Sequence, residues 1–246
     1  MADNDQFRVL GARAQDGAIP AEYDEGLRGF MLRVYNYMAI GIGVTGVVAL
    51  AFGMAMESNV ALQQLMLGTP LKWVIMFAPL AFILVLSFGI HKLSVPAATG
   101  LFYLFATVMG VSISWIFLVF TNESIAQLFF VTAIMFGALS LYGYTTKRDL
   151  SGLGQFMFMG LIGVIIAVIV NLFLQSSALA FAINIIGIIV FAGLTVYDNQ
   201  RLKQEYYQLS GDGTMLGRAA IFGALSLYLN FVNMFMMMLQ LLGSRE

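Results

Sequence analysis

Cysteine is absent from the 246-residue sequence, and histidine occurs once, at His91. The lack of cysteine excludes a disulfide framework and any metal site built from thiolates. A single histidine likewise excludes every site that needs two imidazole ligands. Charged residues make up only 10% of the chain, against about 25% in soluble domains, and the net charge is −1. Nucleic acid is therefore not an expected partner.

Apolar residues, in contrast, make up 60% of the sequence, and the mean hydropathy is +0.88. A domain surrounded by water could not hide so many apolar side chains in one core. The apolar residues form continuous runs and do not alternate every second residue, which argues against a β-barrel. We therefore predict an all-α integral membrane protein, with the lipid bilayer around most of the chain.

Seven runs are long and apolar enough to cross a bilayer as helices, which needs about 18 or more residues. They are residues 32–56, 71–90, 97–120, 125–146, 153–175, 178–200 and 216–242. The start of the chain is acidic and lacks the apolar segment of a secretory signal. We assign residues 1–30 to a cytoplasmic N-terminal tail and residues 31–246 to one transmembrane domain. Segment 201–215 is expected to extend the sixth helix before the sequence SGDG turns the chain.

The basic residues predict the orientation of the helices, because cytoplasmic loops carry an excess of lysine and arginine. With the N-terminus in the cytoplasm, most of the twelve basic residues fall on that side. They are Arg8, Arg13, Arg28, Arg33, Lys92, Lys147, Arg148, Arg201, Lys203 and Arg218. The opposite side keeps only Lys72 and Arg245. We therefore predict a cytoplasmic N-terminus and an external C-terminus.

One acidic residue, Asp198, falls inside a predicted span. A charged side chain in the hydrocarbon costs about 2.5–3.5 kcal/mol on insertion scales and commonly marks an ion or proton path. Arg201 lies one turn further along, where an ion pair at the end of the helix would satisfy the carboxylate. A functional alternative is a cation site or a proton-operated gate, because hard cations such as calcium prefer oxygen ligands. The residues alone leave both interpretations open.

The last span has a polar face. Its members recur at i, i+4, i+7 and i+14, which places them on one side of a helix: Ser226, Asn230, Asn233 and Gln240. Amides are costly to place among acyl chains, so this face is expected to point into protein or a water-filled cavity. Hydrogen bonding between helices and lining of a permeation path both fit the pattern. Either role predicts a helix inside the bundle.

Three stretches resemble the bacterial branch of the Bax inhibitor-1 (transmembrane Bax inhibitor motif) family. They are SLYGYTTKRDLSGLGQFMFMGLIG at 140–163, GLTVYDNQRLK at 193–203 and ALSLYLNFVNMF at 224–235. The resemblance extends from the first span to the C-terminus, and it implies a seven-helix bundle with the last helix central. It also implies a pH-sensitive calcium leak channel, gated by one aspartate on each of the last two helices. A basic residue on the second helix would act as a latch.

Transferred to this chain, the resemblance places one gate residue at Asp198 and the other at position 230, where this sequence has Asn230. Two neighbouring carboxylates titrate as a coupled pair, whereas an asparagine cannot titrate. Asn230 can hydrogen-bond to Asp198 in place of a protonated acid, so we expect weakened pH gating. The candidates for the latch are His91, Lys92 and Arg201.

The leading hypothesis is a calcium leak channel of the bacterial inner membrane, with Asp198 as the gate or as the metal-binding residue of a cation site. We expect no tightly bound cofactor, and Ca²⁺ would be the transported ion. The alternative is a non-conducting membrane regulator whose acidic tail binds a membrane-anchored ATP-dependent protease or another membrane partner. We do not expect an enzyme, because the sequence offers no nucleophile–base pair and no second aspartate in an adjacent span.

Overall fold

The computed structural model describes residues 21–89 and 93–245, except for the side chains of residues 21–24, 76, 80 and 84–89. Every regular element in these residues is a helix, which confirms the predicted all-α class. The helices are α1 (Ala21–Ser58), α2 (Val60–Leu67), α3 (Leu71–Gly89), α4 (Val95–Ile113), α5 (Asn122–Thr145), α6 (Ser151–Leu174), α7 (Ser177–Leu209) and α8 (Gly213–Leu242). A 3-10 turn, Ser114–Leu118, continues α4.

Six helices in the described part of the chain are long and apolar enough to cross a membrane: α1, α4 with its 3-10 turn, α5, α6, α7 and α8. The pair formed by α2 and Leu71–Ile83 of α3 provides a seventh if it counts as one span, although its two helices meet at 71°. The structure thus supports six spans, and up to seven. The short helix α2 was not predicted from the sequence; the Asn59 side chain caps it by accepting from the Leu62 N–H at 3.1 Å.

Two helices are longer than the apolar runs that predicted them. α1 begins at Ala21, so residues 21–30 of the segment assigned to the tail are helical. The division into tail and membrane domain stays a prediction. α7 continues past residue 200 to Leu209, as expected for segment 201–215. Asp212 then starts α8 by accepting hydrogen bonds from the first main-chain N–H groups of that helix, at 2.8 and 3.0 Å.

The helices differ widely in how much of each is buried. In the most apolar 18-residue window of α8, 67% of the residues are buried, against 11% in α6. α8 packs against α1, α4, α5 and α7, whereas α6 packs on α7. The α6 window is nevertheless the more apolar of the two. The less buried of the two helices can be the more apolar one, because lipid tails accept apolar side chains as readily as a protein interior does.

Close approaches and buried hydroxyls fix the helices against one another. At Gly143 of α5, an added Cβ would overlap the carbonyl oxygen of Val196 on α7. On the other side of the bundle, Thr45 of α1 donates to the carbonyl of Ala106 at 2.8 Å. Thr45 therefore accepts from the hydroxyl of Tyr228, which lies 2.6 Å away on α8. These contacts hold α7 and α8 in a defined place within the bundle.

Candidate functional site

Asp198 lies on α7 and is the single charged residue among those buried in the described part of the chain. Its side chain is 6% exposed, and Oδ1 pairs with Nη2 of Arg201 at 3.1 Å. Oδ2 accepts two hydrogen bonds from α8, one from Ser226 Oγ at 2.7 Å and one from Asn230 Nδ2 at 2.8 Å. One cation and two neutral donors thus compensate the buried carboxylate, as a buried charge requires.

Helical spacing explains why these four side chains meet. Ser226 and Asn230 are one turn apart on α8 and therefore point to the same side. Asp198 and Arg201, three residues apart on α7, also share one side of their helix. The two helices also approach closely. An added Cβ at Gly223 of α8 would overlap the side chain of Leu202 on α7. A larger residue in this place would force the Leu202 side chain to move.

The residues of the polar face predicted for the last span make different contacts in the structure. Ser226 and Asn230 contact Asp198, as the sequence led us to expect for Asn230. Asn233 does not, because its amide donates to a main-chain carbonyl of its own helix at 2.8 Å. Gln240 is exposed near the end of α8. Two of the four predicted residues therefore belong to the Asp198 cluster, and two do not.

Of the three latch candidates, Arg201 contacts the carboxylate directly. Its side chain is 43% exposed, and Nη2 also lies 3.5 Å from Ser226 Oγ. Arg201 thus bridges the acid of α7 and the hydroxyl of α8 while it keeps contact with the surroundings. His91 and Lys92 lie outside the described residues.

A cavity of about 550 Å³ borders the cluster. Arg201 and Ser226 line it and also contact Asp198, so these two side chains stand between the cavity and the carboxylate. Glu205 lines the same cavity, one turn beyond Arg201. Glu205 was not among the predicted site residues, because it follows the apolar run of the sixth span. Its spacing of i+4 from Arg201, on a helix expected to continue, was the available signal.

Three consecutive side chains connect α7 to three different neighbours. Asp198 reaches α8, as described above. Asn199 Oδ1 accepts from the hydroxyl of Tyr35 on α1 at 2.5 Å. Gln200 contacts the main chain of the loop between α5 and α6, accepting at 2.8 Å and donating at 2.6 Å. Successive helical residues point about 100° apart, so one turn can contact several elements. Neither Asn199 nor Gln200 was among the site residues predicted from the sequence.

Asp198 was also predicted from the sequence to be the metal-binding residue. Within the described ranges, no group of three or more acidic or histidine side chains is placed to hold a metal ion. The cluster offers one carboxylate, whereas calcium in a binding site takes about six to eight oxygen ligands. This donor set is smaller than the one that tight calcium binding requires.

The long apolar helices and the buried polar cluster define an integral membrane protein with several transmembrane helices. A family model described as "Inhibitor of apoptosis-promoting Bax1" matches residues 27–246. This match covers most of the chain. The protein therefore belongs to the Bax inhibitor-1 family, which confirms the resemblance found in its motifs.

Bacterial relatives align over nearly the full length of the chain. The inner membrane protein YbhL of Escherichia coli K12 is 46% identical over 222 residues, which cover 90% of this chain and 94% of the relative. A protein of Caulobacter vibrioides is 44% identical over 243 residues, covering 93% of this chain and 96% of the relative. A protein of Rickettsia prowazekii is 44% identical over 224 residues, with coverages of 91% and 93%.

Proposed function

We propose that this protein is a calcium leak channel in which Asp198 is the gate. One observation carries the proposal: a buried carboxylate lies between α7 and α8, next to a cavity that polar side chains line in part. An acid inside a membrane protein is costly and typically marks an ion or proton path. Family membership supports the same interpretation, through the resemblance that places a gate aspartate at this position.

The proposal includes a bacterial inner membrane location, with the N-terminus in the cytoplasm and the C-terminus outside. The printed name of the Escherichia coli relative, an inner membrane protein, supports the location. The distribution of lysine and arginine supports the orientation. We further propose seven spans with α8 at the centre. The high burial of α8 and its packing against α1, α4, α5 and α7 support that arrangement.

Arg201 is the proposed latch. In the structure both oxygens of Asp198 are engaged by protein donors, so a cation must first displace one of them. Arg201 is the donor best placed to leave, because it is half-exposed and already lines the cavity. Glu205 faces the same cavity and can attract both the departing guanidinium and an arriving cation. Rotation of one side chain would thus open Oδ1 of Asp198 to the cavity.

Asn230 changes how such a gate responds to pH. It donates to Asp198 as a neutral group and cannot exchange a proton with it. A pair of carboxylates would titrate in two coupled steps, whereas this pair has a single titrating member. We therefore expect a leak with a shallower pH dependence than two aspartates would produce.

The test is calcium flux into proteoliposomes that contain the full chain and a trapped calcium indicator. Asp198→Asn keeps the size of the side chain and removes its charge, so flux should fall by about tenfold or more. Glu57→Gln, at an exposed acid near the end of α1, is the matched control and should conduct like the wild type. Equal flux through wild type and Asp198→Asn would contradict the proposal.

Two further variants separate the gate from the latch. Arg201→Gln should raise flux, because it frees Oδ1 of Asp198 without removing the carboxylate. Asn230→Asp should steepen the difference between pH 6 and pH 8, because it restores a coupled pair of acids. A reduced flux in Arg201→Gln would exclude the latch. An unchanged pH profile in Asn230→Asp would exclude the explanation based on the missing acid.

A second candidate is a non-conducting membrane regulator. The observation that favours it is that protein donors engage both oxygens of Asp198, since a buried charge compensated in this way can serve to fix helix packing alone. A membrane-anchored ATP-dependent protease is the proposed partner, bound through the acidic N-terminal tail. Deletion of residues 2–20 keeps every described helix and should abolish co-purification of that protease. This candidate replaces the channel if wild-type liposomes stay tight at both pH values.

A further inference from the structure

A groove of about 660 Å³ runs between α1 and α5. In the described chain both helices pack on α8 but have little direct contact with each other. Phe231 of α8 forms part of the floor, and small residues on the two walls, Ala39 and Gly137, keep the groove wide. We call this feature the α1–α5 groove. Most of its lining is apolar, so it offers a surface for an apolar chain.

The polar atoms of the α1–α5 groove are concentrated at one end. Arg28 and Tyr144 line that end, where α1 starts and α5 finishes. Arg28 is exposed, and no described acidic side chain forms an ion pair with it. From Arg28 to Ile42 the groove follows α1 for 14 residues, or about 21 Å at 1.5 Å per residue. One leaflet of the hydrocarbon core is about 15 Å thick, so the groove is long enough for an acyl chain.

A buried hydroxyl without a partner lies one turn deeper in the same groove. Ser140 is 6% exposed, and its Oγ has no hydrogen-bond partner in the described structure. Two other hydroxyl residues of α5, Thr132 and Thr145, donate to the carbonyl one turn earlier, at 2.7 and 2.8 Å. Ser140 does not satisfy itself in this usual way. A buried polar group in this state is uncommon in proteins, and an acceptor on a bound lipid would satisfy it.

We propose that the α1–α5 groove binds an anionic phospholipid of the surrounding bilayer. The order of groups along the groove is the order along such a lipid. The phosphate would lie at Arg28, an ester carbonyl would accept from Ser140, and the acyl chain would extend over the apolar wall as far as Ile42. Basic pockets between transmembrane helices on the cytoplasmic side are typical binding sites for anionic headgroups.

Charge selects the end at which the headgroup lies. A second cavity, of about 320 Å³, continues the groove toward the other end of α1 and shares Ile42, Phe129 and Phe231 with it. No charged residue lines this second cavity. Among the described residues that line the two cavities, Arg28 is the one charged partner for an anionic headgroup, and by the predicted orientation it lies at the cytoplasmic end.

The test is native mass spectrometry of the full chain, released from bilayers with equal amounts of phosphatidylglycerol and phosphatidylcholine that carry the same acyl chains. The wild type should retain phosphatidylglycerol in preference. Arg28→Gln should reduce that preference about fivefold, which corresponds to about 1 kcal/mol for one basic side chain near an anionic surface. Arg33→Gln is the matched control, because Arg33 is exposed on the same helix but does not line the groove.

A second pair of variants tests the groove itself. Gly137→Leu places a side chain where an added Cβ meets no atom within 4 Å, so it should fill the groove and displace lipid of either type. Gly163→Leu on α6 has the same open surroundings outside the groove and should retain lipid like the wild type. Equal retention of both lipids by the wild type, or equal effects of the two arginine variants, would overturn the proposal. Loss of a dimer in Gly137→Leu with lipid retained would overturn it in favour of a second copy of the chain.

Discussion

Asn230 and Phe231 are neighbours on α8, and both are buried, yet they face different surroundings. Asn230 points to α7, where two helices meet closely around a carboxylate. Phe231 points to the gap between α1 and α5, where its ring contacts Phe129 and Phe136 edge to face, at centroid distances of 5.5 and 5.6 Å. One side of α8 is thus closed by polar contacts, and the other is covered by aromatic rings that line the α1–α5 groove.

This difference shows two ways of surrounding one helix in a membrane. Where helices approach closely, short polar side chains can exchange hydrogen bonds and shield a charge from lipid. Where helices diverge, large apolar rings line the gap, because polar groups there would face acyl chains. The contrast can be tested from each side by substitutions with matched controls.

The largest effect is expected on the aromatic side. Phe231→Ala removes a ring packed against two others and should destabilise the protein by about 3–5 kcal/mol. Phe130→Ala is the control, because that side chain is 65% exposed and lipid can replace its contacts. Thermal unfolding in detergent measures both. Equal melting temperatures for the two variants would show that the Phe231 ring contributes no more to stability than an exposed ring does.

A smaller effect is expected where α5 meets α7. Gly143→Ala forces a methyl group against the carbonyl oxygen of Val196, an overpacking that should cost about 1–3 kcal/mol. Gly137→Ala, on the same helix but facing the groove, should be neutral or slightly stabilising, because alanine favours helix over glycine by about 1 kcal/mol. The two variants should therefore shift the melting temperature in opposite directions. A common direction would contradict the description of the two surfaces of α5.

The smallest effect is expected from Ser226→Ala on the polar side. It removes one of the two donors from α8 to Asp198 and leaves the other in place. Hydrogen bonds between transmembrane helices contribute about 0.6 kcal/mol on average and up to about 1.7. Ser58→Ala, at an exposed hydroxyl near the end of α1, should change nothing measurable. A loss well above 2 kcal/mol in Ser226→Ala would mean that the cluster acts as one cooperative network.

Much of this arrangement could be predicted from the sequence. Apolar runs located the long helices, because a span needs a minimum length of apolar residues. The family motifs predicted that Asp198 would lie opposite Asn230, and the structure places them in contact. The bent pair of α2 and α3 could not be predicted in this way, because hydropathy measures apolar length and carries no information on where a helix breaks.

The partners of the other polar residues were also beyond the sequence. Asn199 binds Tyr35, which is 164 residues away in the chain, and no spacing rule connects two such positions. The α1–α5 groove depends likewise on how two helices diverge. The apolar runs predict that both are helices, but they do not predict the gap between them. The partners of the buried polar side chains and the gap between α1 and α5 therefore became visible only in the three-dimensional structure.

The three contacts made by Asp198, Asn199 and Gln200 have a consequence for the speed of the gating that we propose. They join one turn of α7 to α8, to α1 and to the loop before α6, so this turn is fastened on three sides. Moving it as a rigid piece would break several bonds at once, a motion of the microsecond to millisecond class. Rotation of the half-exposed Arg201 needs no such rearrangement, and exposed side chains rotate within picoseconds to nanoseconds. If that rotation controls the leak, the pathway would open and close rapidly while α7 keeps its position. The result would be a small steady current without long-lived open and closed states.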